Sequence, residues 1–230
     1  TIIPPGITMS LYFIIFGTLI GRRIGQMDGF QYMEYIAPGL IMMSVITNSY
    51  GNVVGSFFNA KIQRHIEEML VSPMSEISIV TGYLAGGIIR GIFVAAVVSL
   101  IALFFTQLNI QYPVLAILVI VMTAGVFSLA GLLNAIFAKK FDDIAIIPSF
   151  VLAPLTYLGG VFYTITLLPD FWQKVSYFNP ILYMVNAMRF SVLGKSDIDI
   201  FTGILVILAF FIMLLCTAIY LLKKGVGIRE

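Results

Sequence analysis

Charged side chains are scarce in this sequence. Its 230 residues include 13 Lys or Arg and 11 Asp or Glu, so only 10% of the residues are charged. Soluble domains contain about 25% charged residues and about 45–50% apolar ones, whereas 60% of this chain is hydrophobic. A water-soluble surface cannot be formed from so few charges. The composition disfavours a soluble enzyme, a disordered chain and a nucleic-acid-binding domain, and it indicates a membrane protein.

Cysteine and histidine are almost absent, with one residue of each type, Cys216 and His65. A single cysteine excludes a disulfide framework, and a single histidine excludes a multi-histidine metal site. The one Gly-Lys-Ser sequence, at 194–196, fails as a phosphate-binding loop because Arg189 stands where the first glycine is required. We therefore expect no catalytic residue, no metal site and no cofactor bound by this chain.

Long charge-free runs alternate with short charged segments, the runs being 35–60, 91–138, 144–169 and 200–222. A helix needs roughly 20 apolar residues to cross the hydrocarbon core of a bilayer. The pattern predicts an all-α, polytopic membrane protein that forms a single domain over 1–230. The six predicted spans are Ile2–Ile20, Ile36–Phe58, a segment within Ile79–Leu108, Val114–Ala138, Ile144–Tyr163 and Ile200–Leu222.

An even number of spans places both termini on the same side of the membrane. With the termini in the cytoplasm, the inner loops contain seven Lys or Arg residues and the outer loops five, a small excess in the direction of the positive-inside rule. The chain begins at Thr1 rather than at Met, which we interpret as a missing N-terminal segment.

A polar insert at 59–76 separates the second and third predicted spans. Its apolar residues recur at the spacing of one helix face: Ile62, Ile66, Met69 and Leu70. Charged residues cover the other faces: Lys61, Arg64, Glu67 and Glu68. The pair Ser72-Pro73 ends this helix. Three interpretations remain open: a helix that rests on the inner leaflet, a connector that is packed against the rest of the chain, and a helix that docks on a cytoplasmic partner with a basic cleft.

The long segment after the fifth span has helix signals of its own. Asn179-Pro180 predicts an N-cap followed by a first-turn proline, and Gly194 predicts the stop of that helix. Asp170 is predicted to cap another short helix. We expect two half-helices that dip into the outer leaflet, either as a lid on a substrate exit or as the packing of a long loop. The aromatic residues expected to anchor them at the membrane interface are Tyr163, Trp172, Tyr177 and Tyr183.

A few residues inside the spans are polar, charged or small. Arg90 either lies within a span, at a cost in free energy, or marks the inner edge of a span that begins at Gly91, with its side chain extending towards the headgroups; the second interpretation is favoured. The glycine motifs at 82–86 and 87–91 predict the close approach of another helix. The second span has a polar stripe that either lines a wet path or bonds to a neighbouring helix: Ser44, Asn48, Asn52 and Ser56. Asp142-Asp143 is predicted to cap the fifth span.

Several motifs resemble those of ABC-2 type permeases, the membrane subunits of ATP-binding-cassette exporters. The motifs of the last third are Gly159-Gly-Val-Phe-Tyr163, Leu168-Pro169, Asn179-Pro180-Ile-Leu-Tyr183 and Arg189. Two earlier stretches, 38–47 and 141–144, are similar to the YadH-type branch of inner-membrane permeases. The resemblance covers nearly the whole chain.

The resemblance implies a homodimeric, type V exporter-like half-transporter with two separate ATPase subunits, which hold the ATP and Mg²⁺. The implied ATPase-coupling helix comprises Arg64, His65, Glu67, Glu68, Met69, Leu70 and Pro73. The implied re-entrant external hairpin comprises Gly159, Gly160, Tyr163, Pro169, Asn179, Pro180, Tyr183 and Arg189. An amphipathic helix that such proteins have before the first span is absent from these 230 residues.

We therefore expect a non-catalytic permease of the bacterial inner membrane that exports an amphipathic, lipid-like or drug-like substrate. The expected translocation path lies between spans one, two and five and includes Ser44, Asn48, Asn52, Ser56, Pro148 and Pro154. Export of a polysaccharide or glycolipid is an alternative. Two less favoured functions are a gradient-driven transporter without an ATPase and a lipid-modifying enzyme that uses His65 or Asp142-Asp143. The spans contain no acidic relay of the kind that a gradient-driven transporter requires.

Overall fold

The computed structural model of the chain describes residues 3–71 and 74–226, and these are almost entirely helical. The helices are α1 (Ile3–Ile24), α2 (Tyr32–Ile62), α3 (His65–Val71), α4 (Glu76–Phe105), α5 (Pro113–Phe137), α6 (Phe141–Leu158), α7 (Asp170–Tyr177), α8 (Pro180–Leu193) and α9 (Ile200–Lys224). A short antiparallel hairpin, β1 (Gln26–Met27) and β2 (Phe30–Gln31), joins α1 to α2. This hairpin was not predicted.

Five of the described helices, α1, α4, α5, α6 and α9, are long and apolar enough to cross a membrane. The helix α2 is the longest, with 31 residues, but it is not among the five because glycine, serine and asparagine residues interrupt its apolar sequence. The predicted class, an all-α polytopic membrane protein, is confirmed. The count of six spans stays a prediction.

Helix α2 lies at the centre of the bundle and packs against α4 and α5. Helix α4 approaches both α2 and α5 closely at Gly87 and Gly91. A Cβ added at Gly87 would lie 2.7 Å from Val53 Cγ2 of α2, and one at Gly91 would lie 2.7 Å from Ala124 Cβ of α5. In contrast, a Cβ at Gly82 would meet nothing within 4 Å. The prediction of close helix packing is therefore correct for the motif at 87–91, whereas Gly82 faces an open side of the chain.

The bounds of α2 and α4 correct one prediction about the insert and show where Arg90 lies in its helix. Helix α2 continues to Ile62, so Ile62 belongs to α2 and not to the helix of the insert. Helix α4 begins at Glu76, where Ser75 Oγ accepts a hydrogen bond from the Ser78 N–H at 3.2 Å. Arg90 therefore lies about halfway along α4, and its position at the inner edge of the membrane span stays a prediction. Backbone hydrogen bonds and close glycine packing continue past a single charged residue, which a hydropathy pattern treats as a boundary.

Prolines and glycines shape α6, the fifth predicted span. The segment Pro148–Leu152 is π-helical, as expected where prolines lack the N–H that an α-helix requires. Helix α6 ends at Leu158, and Gly160 then adopts a left-handed backbone with φ of 73°, which favours glycine. The fifth helix is thus shorter than predicted, and Tyr163 lies beyond its end.

The helices α7 and α8 follow this bend, and their boundaries largely match the prediction. Asn179 Oδ1 accepts a hydrogen bond from the Ile181 N–H at 3.0 Å, and Gly194 ends α8 with φ of 72°. Helix α8 is buried on nearly every side, with contacts to α2, α5 and α9. Asp170 is the first residue of α7 rather than its cap, since Pro169 occupies the cap position. The bundle has two ends, named the α3 end and the α7 end after the short helix that each carries.

Candidate functional site

The short helix α3 is set off from α2 by a sharp backbone turn. Arg64, at this turn, has a left-handed backbone with φ of 62°, which is uncommon for a residue other than glycine. Ile66 is only 1% exposed and Met69 is half-buried, so these two residues hold α3 against the bundle. His65 and Glu68 are exposed on the other side. Helix α3 therefore presents a polar face away from the protein.

Three residues predicted for the coupling helix lie wholly or partly outside the described structure. Pro73 lies outside the described residues, as does the predicted helix stop at 72–73. For Glu67 and Leu70, the backbone belongs to α3, while their side chains are outside the description.

The last turn of α2, just before α3, is bonded to the end of α5. The Lys61 ammonium donates hydrogen bonds to the Ile136 carbonyl at 2.7 Å and to the Ala138 carbonyl at 2.9 Å. The Phe58 ring meets the Phe141 ring, at the start of α6, with 5.1 Å between centroids. The junction of α2 with α3 is thus in contact with the junction of α5 with α6.

A groove of about 400 Å³ opens between α2 and α4 beside α3. Its lining residues are Asn52, Ser56, Met69, Met74, Ser78, Ile79, Gly82, Tyr83 and Gly86. The walls combine methionine, isoleucine and tyrosine side chains with an amide and two hydroxyls. Such a surface suits a molecule that has both apolar and polar parts.

The polar stripe of α2 is divided by burial. Ser44 is fully buried and donates to the Leu40 carbonyl at 3.2 Å. Asn48 is half-buried and donates to the Ser44 carbonyl at 3.0 Å. Asn52 and Ser56 line the groove. Ser44 thus lies in the core, and the other three residues reach the surface of the protomer.

Helix α6, which contains Pro148 and Pro154, is packed loosely against the rest of the chain. Leu152 and Thr156 are its buried residues, and Phe150 is 76% exposed. Its first turn has a side-chain cap: Asp143 Oδ2 accepts hydrogen bonds from the N–H groups of residues 139 and 140, at 2.8 and 2.9 Å. The predicted capping is thus confirmed for Asp143.

At the α7 end, Arg189 is buried at the meeting point of three segments. It is 1% exposed, and its Nη2 donates to the Gly160 carbonyl at 2.6 Å. The guanidinium carbon lies 4.0 Å from the centroid of the Tyr35 ring of α2. Arg189 Nη1 and Asp197 Oδ2, which belongs to the loop after α8, are 3.9 Å apart. Arg189 therefore joins the bend after α6 to α2 and to the loop between α8 and α9.

Further hydrogen bonds hold the segment between α6 and α8 in place. Tyr32 donates to the Phe162 carbonyl at 3.1 Å, and Asn179 Nδ2 donates to the Leu155 carbonyl at 2.6 Å. The Tyr183 hydroxyl donates to the Tyr177 carbonyl at 2.8 Å. Gly39 allows the chain to cross α2, since a Cβ there would lie 2.6 Å from the Val161 carbonyl oxygen.

An open cavity of about 840 Å³ lies beside Arg189 and is lined by side chains of both charges. The charged residues of its wall are Asp28, Arg189, Lys195, Asp197 and Asp199. Lys195 Nζ is bonded to the Asp28 carbonyl at 3.0 Å. The pKa of Asp199 is held below its ordinary value by hydrogen bonds from the Thr202 N–H and hydroxyl. In the described ranges, no three His, Cys, Asp or Glu side chains form a group that could hold a metal ion.

Helix α7 exposes an apolar face at this end of the molecule. Phe171, Trp172 and Val175 are exposed on α7, and Phe178, directly after it, is 88% exposed. The opposite side of the helix is held by Gln173, whose Nε2 donates to the Leu168 carbonyl at 2.7 Å. The predicted interfacial residues Trp172 and Tyr177 are thus exposed, whereas Tyr163 and Tyr183 are half-buried.

The sequence did not indicate the roles of four residues that organise these regions: Tyr35, Gly39, Lys61 and Asp197. Lys61 was predicted on a polar face of the insert helix but belongs to the last turn of α2. The partners of these four residues are remote in sequence, and the relevant bonds depend on which helices pack together. The glycine at position 39, after Pro38, offered a local signal, since a small residue within a helix often marks a close crossing. The α3 end and the α7 end therefore contain side-chain contacts that the hydropathy pattern did not indicate.

The helical bundle and its long apolar helices show the class of protein: the chain is a multi-pass helical membrane protein. Residues 1–193 match the family described as ABC-2 type transporter, and the chain belongs to that family. It is therefore a membrane transport subunit.

The chain is similar along its whole length to the inner membrane transport permease YadH of Escherichia coli strain K12. The two are 55% identical over 232 residues, which cover 100% of this chain and 90% of that protein. It is also similar to nodulation protein J of Rhizobium leguminosarum bv. viciae, with 23% identity over 212 residues, 91% of this chain and 82% of the relative. Nodulation protein J of Sinorhizobium fredii is 23% identical over 216 residues, 94% of this chain and 82% of that protein.

Proposed function

We propose that this chain is the membrane permease of an ATP-driven exporter that works as a homodimer with two separate ATPase subunits. In this proposal the α3 end lies in the cytoplasm, and the ATPase binds to α3. The exported substrate is amphipathic, with lipid-like or drug-like character. Membership of the ABC-2 type transporter family supports an ABC ATPase as the partner.

The observation that carries the proposal is the orientation of α3. Ile66 and Met69 turn towards the bundle, so these two apolar side chains of α3 pack against the chain itself and do not rest on a leaflet. His65 and Glu68 point outward. Helix α3 thus packs against the bundle through one side and exposes polar side chains on another. Such a surface is suited to docking on a protein with a basic cleft.

The docking role is tested with the permease and its ATPase purified as a complex and reconstituted in lipid. Replacing Glu67 and Glu68 together by arginine is expected to abolish permease-stimulated ATP turnover, because like charges would oppose a basic cleft. The single change Glu68→Arg is expected to weaken the stimulation. The matched control is Asp170→Arg, which makes the same change of charge at an exposed position of the α7 end.

The thermal midpoint of each variant is measured in parallel, so that a loss of folding is distinguished from a loss of docking. Turnover that survives the double arginine change would show that α3 is not the coupling helix. Transport by the purified permease alone in proteoliposomes would contradict the ATP-driven mechanism as a whole.

The proposed homodimer is supported by a polar side of the protomer that no other part of the described chain covers. Asn52 and Ser56 of α2 and the open Gly82 of α4 lie on one side. Polar groups that face hydrocarbon are costly, so we propose that a second copy and the transport path cover this side. The loosely packed α6, with Pro148 and Pro154, is the proposed adaptable wall of the path.

The substrate class is supported by the groove beside α3. Its methionine and tyrosine walls suit an acyl chain or a drug ring, and its amide and hydroxyl groups suit a polar head. Because Met69 of α3 lines this groove, movement of α3 would change its shape directly.

The bacterial inner membrane is the proposed location, in keeping with the name of the Escherichia coli relative. The orientation is supported by the positions of the basic residues. Arg189 is buried within the protein and so does not count as a loop charge. The α3 end carries six described Lys or Arg residues outside the spans and the α7 end four, which agrees with a cytoplasmic α3 end under the positive-inside rule.

The exposed aromatic residues of α7 support its contact with the outer leaflet. Phe171, Trp172 and Phe178 form an apolar side, and aromatic residues of this kind accumulate at membrane interfaces. In this proposal α7 lies in the interface and α8 is the half-helix enclosed by the bundle.

A further inference from the structure

Lys61 forms a polar connection between the last turn of α2 and the end of α5, in addition to the bond that Asn134 Nδ2 of α5 donates to the Tyr50 hydroxyl of α2 at 2.7 Å. Its ammonium donates to the carbonyls of Ile136 and Ala138, at 2.7 and 2.9 Å. These carbonyls belong to the last turn of α5 and to its cap residue, where an α-helix leaves acceptors without a partner of its own. A cation at a helix C-terminus is also favoured by the helix dipole. The connection is therefore well placed and directional.

The connection between the end of α5 and the start of α6 is short. Only residues 138–140 separate the two helices. The N–H groups of residues 139 and 140 are both bonded to Asp143 Oδ2. A displacement of the Ala138 carbonyl is therefore passed on to the first turn of α6.

On its other side, Lys61 adjoins the turn that begins α3. The Arg64 N–H donates to the Lys61 carbonyl at 3.0 Å, and Arg64 is the residue with the left-handed backbone. Rotation of α3 about this turn would therefore move Lys61 more directly than any residue deeper in α2. The ring contact between Phe58 and Phe141 is close by, but an apolar contact is non-directional and allows sliding, whereas two hydrogen bonds fix both distance and direction.

We propose that Lys61 is the positioning residue that transmits the displacement of α3 to α6 through the α5–α6 junction. The inference rests on the proposed docking role of α3. On ATP binding, α3 is displaced, Lys61 carries the end of α5 with it, and the loosely packed α6 rearranges. The ATPase thereby acts on the helix that holds Pro148 and Pro154 without touching it.

The test measures the position of α6 in the complete complex of permease and ATPase in lipid nanodiscs. Spin labels are attached to the native Cys216 of α9, which is exposed and is the only cysteine of the chain, and to Asp142→Cys at the exposed start of α6. The distance between the labels is measured without nucleotide and after trapping of ATP hydrolysis with vanadate. With Lys61 present, trapping is expected to shift this distance.

The variant Lys61→Met keeps an apolar stem of similar length but has no donor for the two carbonyls. It is expected to retain ATPase binding and stimulated ATP turnover and to lose the nucleotide-dependent shift of the labels. Lys61→Arg is expected to restore the shift, because the guanidinium also donates more than one hydrogen bond. Lys223→Met is the control, as it removes an exposed lysine at the same end of the molecule. Lys61→Gln, whose shorter amide cannot serve both carbonyls, provides a second variant if Lys61→Met does not fold.

The possible outcomes are distinct. A shift in Lys61→Met and Lys61→Gln equal to that of the unaltered chain would overturn the transmission role. Loss of ATPase binding in these variants would also overturn it, since Lys61 would then act on docking. Failure of the unaltered chain to bind any ATPase would refute the proposed function itself and the inference with it.

Discussion

Replacement of Arg189 by methionine removes a buried cation that contacts three segments but leaves its apolar stem in place. The variant loses the bond from Nη2 to the Gly160 carbonyl and the contact of the guanidinium with the Tyr35 ring, which are 2.6 and 4.0 Å long. The ion pair with Asp197, at 3.9 Å, is too long to include a hydrogen bond. The expected effect is a loosening of the α7 end.

The size of the effect follows from these contacts and from the cost of the buried charge. A hydrogen bond from a charged donor contributes about 1.5–3 kcal/mol, and a desolvated cation–π contact about 2 kcal/mol. Against this, Nε and Nη1 of Arg189 have no hydrogen-bond partner among the described residues, and removing such buried donors recovers roughly 1–3 kcal/mol. We therefore expect Arg189→Met to lower the free energy of unfolding by about 2 kcal/mol, the middle of a range of about 0.5–4 kcal/mol.

The assay is equilibrium unfolding of the purified protein in detergent. Trp172 is the only tryptophan and lies in α7, so its fluorescence follows unfolding at the end that contains Arg189. Arg23→Met is the matched control, because it makes the same substitution at an exposed position. Tyr35→Phe provides a second control: the Tyr35 hydroxyl has no hydrogen-bond partner in the described part of the chain, and the ring that meets the guanidinium is retained.

The reasoning would be refuted if Arg189→Met unfolded within about 0.5 kcal/mol of Arg23→Met, the range of ordinary surface changes. A large destabilisation by Tyr35→Phe would also contradict it, because the ring and not the hydroxyl is expected to matter. Tyr35→Leu should in turn lose the cation–π contribution that Tyr35→Phe keeps.

Three further predictions address packing, pH dependence and membrane contact. Gly87→Ala is expected to destabilise the protein by about 1–3 kcal/mol through overpacking, because its Cβ would lie 2.7 Å from Val53 Cγ2. The control Gly82→Ala should be neutral or stabilising, because a Cβ there meets nothing within 4 Å. Equal thermal midpoints of the two variants would contradict this prediction. The hydrogen bonds from Thr202 that lower the pKa of Asp199 stabilise the folded protein above the ordinary pKa of about 4, and this stabilisation is lost as the pH falls through the lowered pKa. Asp199→Ala should therefore show a smaller fall of the thermal midpoint between about pH 5 and pH 3, and an unchanged fall would count against the assignment. Trp172 fluorescence should be quenched by lipids brominated near the headgroup and protected from aqueous acrylamide, whereas the reverse would place α7 in water.

Local chemistry explains why the segment from 170 to 194 was largely predictable. The N-cap at Asn179 and the stop at Gly194 depend on neighbouring residues only, and both are where the sequence placed them. The same holds for the cap of α6 by Asp143, which bonds to backbone groups three and four residues away. Asp170 shows the limit of this reasoning, since Pro169 takes the cap position instead.

Hydropathy proved less informative about the ends of the longest helices. Both α2 and α4 extend beyond their apolar cores, α2 to Ile62 and α4 back to Glu76. Arg90 interrupts the apolar pattern because it is charged, but helix α4 continues through it. The length of a helix depends on its backbone hydrogen bonds and on its packing, and a hydropathy pattern records neither.

The sequence by itself determined that this protein lies in a membrane, because 24 charged residues in 230 cannot cover a soluble surface. Short motifs in the sequence also indicated the transporter family. The caps of several helices could be predicted as well, since a cap depends on neighbouring residues only. Only the tertiary structure decided that Arg189 is enclosed by Tyr35 and Gly160 and that Lys61 is bonded to the end of α5, 75 residues away at Ile136. Such contacts arise from the way α2 packs against the other helices, and this packing brings together residues whose separation in the sequence carries no information about their distance.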